Sequence, residues 1–572
     1  LRMIYRGYQM LAAPSGNIEG ANIISRVIWT IKGALMSLTG SSLPYGIADW
    51  YWFPSRVIPA PNDVEPITEF PFFTVLYGDS HAHLFALPLT FLALAWSLSI
   101  LFARGWGSGD QDSRSKTISR AVISLVIGGL AIGALRPTNT WDFPVYLVFG
   151  LIALGYVFWK YSNPIPITSS LVNGLPKKIR RIIVALVAII LLGISAILLY
   201  QPYASWYVQG YTNITFWRGS HTPFWSYLTH WGVFLFIIIA WMAWETREWM
   251  ASTPLADLRK LSPYRGLIFF VAILAILWIV ALHIIGISIA WMVILLMIWA
   301  GILLFRPGIS DAKRAVLVMI GSGLALTLMV EIIVLVGDIG RMNTVFKFYL
   351  QVWTLLGLST AAVLGWTLGS ISQWTPRWQL AWKASVIVLV AAAALYPLLG
   401  TTARIKDRMT DGVPLTLDGM AYMKYAEYDD LGTRMDLSQD YEAIRWLQNN
   451  VIGSPVIIEG NMVEYHWGTR YTIYTGLPNV IGWNWHQRQQ RATAAEDLIH
   501  GRISDVNEFY LTTDPDRARQ IIDEYGVQYI IVGQLEQALY PGDGLHKFES
   551  QEGILWEEVF RVDDTVIYHV QN

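Results

Sequence analysis

Long apolar runs separated by short polar segments dominate the middle of the chain. A membrane-spanning helix needs about 20 mostly apolar residues to cross roughly 30 Å of hydrocarbon. Such runs predict ten helices, at residues 84–103, 119–135, 143–160, 181–200, 228–244, 266–284, 286–305, 315–336, 345–368 and 383–400. The sixth and seventh runs are nearly fused and could instead form one broken hairpin. The pattern therefore predicts a polytopic α-helical membrane protein.

The two ends of the chain have other patterns. Ile23–Leu38 mixes apolar residues with Arg26 and Lys32, which predicts an amphipathic helix along the membrane surface rather than a span. Near the C-terminus, helical periods at 438–450 and 514–525 alternate with strand patterns at 455–458, 528–532, 555–561 and 565–570. We therefore expect a loop region with an amphipathic helix at 1–83, a transmembrane helical domain at 84–400 and an α/β domain at 401–572.

The basic residues predict which way the spans face. They are concentrated in alternate loops, and the positive-inside rule makes these loops cytoplasmic. The basic residues of these loops are Arg104, Arg114, Lys116, Arg120, Lys160, Lys177, Lys178, Arg180, Arg181, Arg247, Arg259, Lys260, Arg265, Arg306, Lys313, Arg314, Arg377 and Lys383. The remaining segments, 1–83, 136–142, 201–227, 337–346 and everything after about 401, are then outside. The α/β domain is thus expected to be extracytoplasmic, on a multi-pass protein of the cytoplasmic membrane.

Composition supports the membrane class. Hydrophobic residues make up 54% of the chain and charged residues 15%, and mean hydropathy is +0.41, whereas soluble proteins carry about 25% charge. The net charge of −1 and the lack of a basic run argue against a nucleic-acid partner. With no cysteine, disulfides and thiolate sites are excluded. Because the sequence starts at Leu1, we expect further residues to precede it.

The densest group of chemical residues precedes the first predicted span. Asp79, His81 and His83 alternate, so an extended backbone would place them on one side, and Glu69 lies ten residues upstream. Carboxylate and imidazole groups at this spacing could bind a divalent metal or relay a proton. The alternative is an interfacial loop in which Asp79 and Ser80 cap the following helix.

Two further outer segments carry candidate ligand-binding residues. In the turn 136–142, Arg136 offers a fork for phosphate or carboxylate, and neighbouring side chains could bind sugar hydroxyls. An Arg136–Asp142 ion pair that closes the turn is the alternative. At the start of the ninth span, a lysine inside an apolar run needs a partner or an anionic ligand, unless it snorkels to the interface. The candidates in these two segments are Arg136, Asn139, Trp141, Asp142, Arg341, Asn343 and Lys347.

The predicted α/β domain contains a stretch rich in aromatic residues between 459 and 489. Trp and Tyr faces can stack on sugars or acyl chains, and Arg, His and Gln side chains provide directional bonds. Aromatic packing between the domain and the membrane is the alternative. The candidate substrate-binding residues of this stretch are Tyr465, Arg470, Tyr474, Trp483, His486 and Gln487.

These motifs resemble the YYY family of bacterial and archaeal membrane proteins. The resemblance rests on Ser55-Arg-Val-Ile-Pro, Glu69-Phe-Pro-Phe-Phe, Gly78-Asp-Ser-His-Ala-His, Arg136-Pro-Thr-Asn-Thr-Trp-Asp-Phe-Pro, Asn343-Thr-Val-Phe-Lys, Tyr474-Thr-Gly-Leu-Pro with Trp483, and Tyr529-Ile-Ile-Val-Gly. It spans nearly the whole chain. The tyrosine-rich N-terminal motif after which the family is named is missing here, which agrees with the expectation of preceding residues.

That family in turn looks like the GT-C glycosyltransferases, which move a sugar from a polyprenyl-phosphate donor to an acceptor outside the membrane. The resemblance implies a base or metal-ligand role for Asp79, assisted by His81 and His83, with Glu69 in reserve. It also implies a lipid-linked sugar donor, membrane lipids and an unidentified acceptor as partners, and a divalent metal such as Mg²⁺ or Mn²⁺ held by Asp79, His81 and His83. A transporter and a non-catalytic subunit that scaffolds other membrane proteins are the competing interpretations.

Overall fold

A computed structural model describes residues 1–18, 20–78, 80–106, 114–161, 176–205, 213–491 and 495–571. The described residues form two compact units. The first unit extends to Asp407 and the second begins at Arg408.

The first unit is helical apart from one short strand pair. Its elements are α1 (Arg2–Ala12), α2 (Ile23–Leu38), α3 (Asp49–Trp52), α4 (Pro71–Tyr77), α5 (Ala82–Phe102), α6 (Arg114–Gly133), α7 (Leu135–Thr138), α8 (Asp142–Lys160), α9 (Lys177–Leu198), α10 (Gln201–Ala204), β1 (Ile214–Phe216), α11 (Phe224–Ser252), α12 (Arg265–Ile284), α13 (Ala290–Leu304), α14 (Asp311–Ile332), β2 (Ile333–Leu335), α15 (Met342–Ser370) and α16 (Pro376–Arg408).

Each of the ten predicted spans corresponds to a helix, so the polytopic helical class is confirmed. Nine helices of the described residues are long and apolar enough to cross a membrane. The tenth, α13, has 15 residues and extends about 22 Å at 1.5 Å per residue, less than the roughly 30 Å of hydrocarbon. It is shorter than predicted because a turn at Gly286, with φ of 95°, precedes it. This turn also separates α12 from α13.

The amphipathic helix predicted at Ile23–Leu38 is α2, and it packs on α1. The helices are so close that a Cβ on Gly33 would lie 1.9 Å from the carbonyl oxygen of Tyr8. The amide of Gln9 donates to the hydroxyl of Thr30 across this contact, at 3.2 Å. The apolar face of α2 remains exposed, which suits a surface helix; its position along the membrane stays a prediction.

The second unit is built around a four-stranded sheet. Its elements are β3 (Glu427–Asp430), β4 (Thr433–Asp436), α17 (Leu437–Asn450), β5 (Val456–Ile458), α18 (Arg470–Thr475), α19 (Asn484–Gln490), α20 (Glu496–Leu511), α21 (Pro515–Tyr525), β6 (Val527–Val532), α22 (Gln534–Leu539), α23 (His546–Ser550), β7 (Trp556–Val562) and β8 (Thr565–Val570).

The strand order of this sheet is β5-β6-β8-β7, with β5 and β6 parallel and the other pairs antiparallel. Successive residues of a strand face opposite sides. Ile530 packs with Val506 and Ile521 of α20 and α21, whereas Ile531 packs with residues of α17. Helices therefore cover both faces, which explains the unbroken apolar run of β6 and confirms the α/β class of this unit.

Candidate functional site

Several loops meet at one end of the first unit, which we call the loop end: residues 56–78, 80–83, 136–142, 213–224 and 333–349. The backbone N–H of Ile67 donates to the carbonyl of Met342 at 3.4 Å, and the hydroxyl of Ser226 donates to the carbonyl of Val57 at 2.8 Å. β1 pairs antiparallel with β2 in the same region. The loop end thus joins segments that sequence analysis placed together on the outer side, although its side of the membrane stays a prediction.

Glu69 and His83 form a carboxylate–imidazole pair at the loop end. Glu69 precedes α4 and accepts a hydrogen bond from the hydroxyl of Thr74 at 3.3 Å, while His83 lies in the first turn of α5. Their Oε2 and Nε2 atoms are 3.6 Å apart, and His83 is 8% exposed. Its Nε2 is buried and has no hydrogen-bond partner among the residues that the structure describes. The two side chains are close enough to interact electrostatically, and Nε2 of His83 can still form a hydrogen bond with another group.

A cation that sequence analysis did not select lies near this carboxylate. Burial lowers the pKa of Arg56, and the negative charge of Glu69 opposes that shift. The guanidinium of Arg56 lies 4.4 Å from the ring centre of Trp52 and donates to the hydroxyl of Ser55 at 2.8 Å. Arg56 occurs in the Ser-Arg-Val-Ile-Pro motif, so the motif was the available signal.

Arg404 of α16 is a second basic residue of this region. Its guanidinium donates to the carbonyl of Tyr77 at 3.0 Å and lies 4.7 Å from that tyrosine's ring centre. The predicted span ended at residue 400, whereas α16 continues to Arg408 and carries Arg404 to the end of α4. Sequence analysis missed it because helix continuation past an apolar run leaves no hydropathy signal.

Aromatic rings form a wall next to Glu69. The ring of Phe70 lies 4.7 Å from Tyr396 and 5.8 Å from Trp353. The indole N–H of Trp353 donates to Nε2 of His230 at 2.8 Å, which assigns the imidazole proton to Nδ1. This wall continues from the loop end along α11, α15 and α16, and it supplies an apolar surface beside the carboxylate.

The predicted metal and base residues are only partly described. Asp79 lies outside the described residues. His81 precedes α5 and His83 lies within it, so the extended alternation expected of this motif does not apply to His83; their ring centres are 5.8 Å apart. Among the residues that the structure describes, no three His, Asp or Glu side chains form a metal-binding group. Metal binding and the catalytic assignments therefore stay predictions.

The turn 136–142 uses most of its polar groups internally. Asp142, which is 1% exposed, accepts hydrogen bonds from the side-chain amides of Asn139 at 3.1 Å and Gln351. Lys347 interacts electrostatically with Asp142, and the ring of Trp141 lies 6.1 Å from that of Phe348. Asn139 and Asp142 therefore form a buried network rather than a row of open ligands.

Arg136 differs from its neighbours. No ion pair joins it to Asp142 within the described part of the chain, and its Nη1 atom is buried without a hydrogen-bond partner. A guanidinium cannot lose its proton in a protein, so this donor needs an acceptor. The geometry leaves Arg136 able to receive an anionic group.

Arg341 and Asn343 have partners within the protein. Arg341 is 1% exposed and donates to Glu331 at 2.7 Å, to the carbonyl of Val330 at 3.0 Å and to Thr222 at 3.2 Å. Asp338 accepts from both the backbone and the side-chain amide of Asn343, each at 3.0 Å, at the start of α15. These contacts hold the loop between α14 and α15 in place. Substrate binding by either residue stays a prediction.

In the second unit, Arg470 is also an internal residue. It is 1% exposed and donates to Asp440 at 2.8 Å and to both oxygens of Glu536 at 3.1 and 2.9 Å. Burial raises the pKa of Glu459, which lies 3.8 Å away, to about 7, and Arg470 opposes that shift. Three carboxyl groups thus surround one guanidinium in the core.

The other candidates of the second unit are divided between packing and surface. The hydroxyls of Tyr474 and Tyr422 are 2.8 Å apart, and the side-chain oxygen of Gln487 accepts from Arg491. A separate group of rings is more open. Tyr465 is 68% exposed and lies 5.2 Å from Trp483, and the Trp483 ring lies 5.5 Å from that of His486. Tyr465, Trp483 and His486 therefore come together, and substrate binding by them stays a prediction.

Comparison with known proteins adds the family. No curated protein matches this chain. Among solved structures, an archaeal oligosaccharyltransferase, AglB from Archaeoglobus fulgidus in complex with an inhibitory peptide and a dolichol-phosphate, is similar at 10% identity. The match covers 100% of this chain and 62% of that chain, and its TM-score of 0.28 is too low to carry an argument.

A family model described as "Uncharacterized membrane protein (DUF2298)" matches residues 11–356. This range is more than half of the chain and contains Glu69, His83, Arg136 and Lys347. The membrane class agrees with the nine apolar helices, and the family expected from the motifs is confirmed. The chain therefore belongs to the DUF2298 family of membrane proteins.

Proposed function

We propose that this protein is a membrane glycosyltransferase that moves a sugar from a polyprenyl-phosphate donor to an acceptor at the membrane surface. The observation that carries the proposal is the pairing of Glu69 with His83 in the first turn of α5, where the imidazole Nε2 is buried and makes no hydrogen bond within the described residues. A pair formed by a buried imidazole and a carboxylate that is 14% exposed is suited to accepting a proton from a bound hydroxyl at the edge of the bilayer.

A lipid-linked donor suits the surroundings of this pair. The aromatic wall of Phe70, Trp353 and Tyr396 offers an apolar surface for an isoprenoid chain. A phosphate at the same end would need cations, and Arg136 has a buried guanidinium nitrogen without an acceptor. Charge and apolar surface together favour an amphipathic anion over a free sugar nucleotide.

In the proposed reaction, the acceptor hydroxyl attacks C1 of the sugar and gives its proton to the carboxylate of Glu69. A new C1–O bond forms to the acceptor while the C1–O bond to phosphate breaks. The phosphate leaves with the electron pair, and Arg136 stabilises its charge. His83 orients Glu69 and can pass the proton on. Asp79, which the sequence prediction ranked first as base, is tested in parallel.

The experiment measures transfer from a polyprenyl-phosphate sugar by the full-length chain in lipid nanodiscs, after native mass spectrometry has identified a donor that binds. Glu69→Gln is expected to lower turnover about 10²–10⁴-fold, the usual contribution of a general base. Glu65→Gln is the matched control, because this exposed carboxylate lies in the same loop. Its turnover is expected to stay within about twofold of the parent.

Different outcomes correct different parts of the proposal. Full activity in Glu69→Gln with none in Asp79→Asn would return the base role to Asp79. A protein that binds no donor and transfers no sugar would contradict the glycosyltransferase proposal itself. Substrate uptake into liposomes would then support a transporter, and co-purification in a fixed ratio with other membrane proteins would support a scaffold.

A further inference from the structure

An apolar groove lies between the last turns of α11 and the beginning of α16. Its volume is about 740 Å³, within the roughly 300–1,000 Å³ of small-molecule sites. Four indole rings line it together with aliphatic side chains of α11. We call it the tryptophan groove, and its rings are Trp244, Trp374, Trp378 and Trp382.

The tryptophan groove is far from the Glu69 site. Ser226 at the start of α11 contacts the loop end, and Trp244 follows it by about 27 Å along the same helix. In α16 the order is reversed, since Trp378 is near its start and Tyr396, which contacts Phe70, comes later. The groove therefore belongs to the opposite end of the helices and is independent of the proposed catalytic site.

Two groove residues have unsatisfied polar atoms. Trp382 is 5% exposed, and its buried indole Nε1 has no acceptor within the described ranges of the chain. The same holds for the buried Nε1 of Trp374. Ring centres of Trp374 and Trp382 are 5.9 Å apart, and those of Trp244 and Trp374 are 5.6 Å apart. Buried indole N–H groups normally find an acceptor, so these two donors are suited to a ligand that carries oxygen atoms.

The mouth of the groove is positively charged. Arg247 lines it, 4.7 Å from the ring centre of Trp244. Arg247 forms an ion pair with Glu248, but the two side chains are 62% and 41% exposed. Such an exposed pair is weak, so an anionic ligand can replace Glu248. The first turn of α16 carries Arg377 and no acidic residue, although the amino end of a helix favours negative charge. The mouth is thus complementary to an anion.

We propose that the tryptophan groove binds one anionic glycerophospholipid. An acyl chain lies against Phe236 and Ile239, ester carbonyls accept from the indole N–H groups of Trp374 and Trp382, and the phosphate faces Arg247. Only 11% of the most apolar stretch of α16 is buried within the protein, so lipid surrounds most of this helix. An anionic glycerophospholipid combines an apolar chain, carbonyl acceptors and negative charge in one molecule.

The test is native mass spectrometry of the full-length chain released from detergent, titrated with phosphatidylglycerol or phosphatidylcholine. One phosphatidylglycerol is expected to remain bound at concentrations where phosphatidylcholine dissociates. Trp382→Phe keeps the ring and removes the N–H, and it should weaken phosphatidylglycerol binding about fivefold. Trp159→Phe is the matched control, since Trp159 is 70% exposed and does not line the groove.

The charge at the mouth is tested separately. Arg247→Gln should reduce the preference for phosphatidylglycerol over phosphatidylcholine, whereas Arg259→Gln, on an exposed segment outside the groove, should not. Equal retention of both lipids, or equal effects of Trp382→Phe and Trp159→Phe, would overturn the proposal. Displacement of phosphatidylglycerol by added polyprenyl phosphate would also overturn it, by assigning the groove to the isoprenoid lipid.

Discussion

Arg470 occupies the core of the second unit, and its removal should have a large and measurable effect. The guanidinium satisfies Asp440 and Glu536 directly, and Glu459 lies within 3.8 Å. Burial works to raise the pKa of Glu536, but the charge and hydrogen bonds of Arg470 hold it below its ordinary value. Arg470→Met would keep much of the side-chain volume and leave these carboxyl groups buried without their cation.

Breaking a buried ion pair by removing one partner costs about 3–5 kcal/mol. Since about 1.4 kcal/mol corresponds to a tenfold change, the equilibrium for opening the second unit should rise roughly 140- to 3,700-fold. The core of the sheet reports this opening, because Ile530 and Ile531 are fully buried in β6 and their amides exchange only when the unit unfolds.

Hydrogen exchange of the full-length chain, read by mass spectrometry over β6, provides the assay. Arg434→Met is the matched control, because Arg434 and Glu427 form an ion pair in the same unit with 68% and 49% of their side chains exposed. Such a pair contributes about 0–1 kcal/mol. If Arg470→Met and Arg434→Met lost similar protection, the structural role given to Arg470 would be refuted, and ligand binding would again be the better interpretation.

Three further predictions follow from other parts of the structure. Burial raises the pKa of Glu459 to about 7, so its proton stabilises the second unit at low pH and this stabilisation is lost as pH rises from about 4.5 through 7; Glu459→Gln should flatten that dependence in thermal unfolding. Asp338→Ala removes the acceptor for the first N–H groups of α15 and should lower the free energy of unfolding by about 0.5–2 kcal/mol in a detergent melt. Gly33→Val would collide with the carbonyl of Tyr8 and should separate α1 from α2, which increased thiol labelling of a Gln9→Cys background would report, since the chain has no other cysteine.

The membrane spans were predictable because hydropathy averages the apolar composition over a stretch of chain. Contact with lipid requires an apolar composition along the whole helix. The elements of the second unit were predictable for a similar reason: α17, α21, β6 and the β7–β8 hairpin lie within two residues of their expected bounds. Helix continuation was not predictable where the apolar run stops. The polar end of α16 extends to Arg408 and is held by contacts with α3 and α4, such as the hydrogen bond that the hydroxyl of Tyr51 donates to Asp407 at 2.6 Å.

The sequence predicted which segments form the candidate site, but it did not predict which side chains pair within it. Glu69 and His83 belong to one motif, yet the sequence ranked Asp79 above Glu69 because Asp79 alternates with both histidines. In the structure α5 begins at Ala82, so spacing typical of a strand no longer describes His83. The pairing of Glu69 with His83 depends on how α4 is oriented before α5, and residue spacing does not encode that orientation.

The cations show why residue type alone did not separate ligand-binding residues from structural ones. Arg136, Arg341 and Arg470 have the same guanidinium and all lie in polar segments near apolar ones. Arg341 and Arg470 are each matched by buried carboxylates from distant positions, Glu331 and Glu536, which a sequence cannot place. Because a buried cation that is already paired with a buried carboxylate gains little from an added anion, these two are poor ligand sites. In the described part of the chain no carboxylate pairs with Arg136, and its Nη1 is buried without a hydrogen bond, so an anion there would replace a missing interaction rather than compete with an existing one. A donor phosphate should therefore depend on Arg136 more than on either buried arginine.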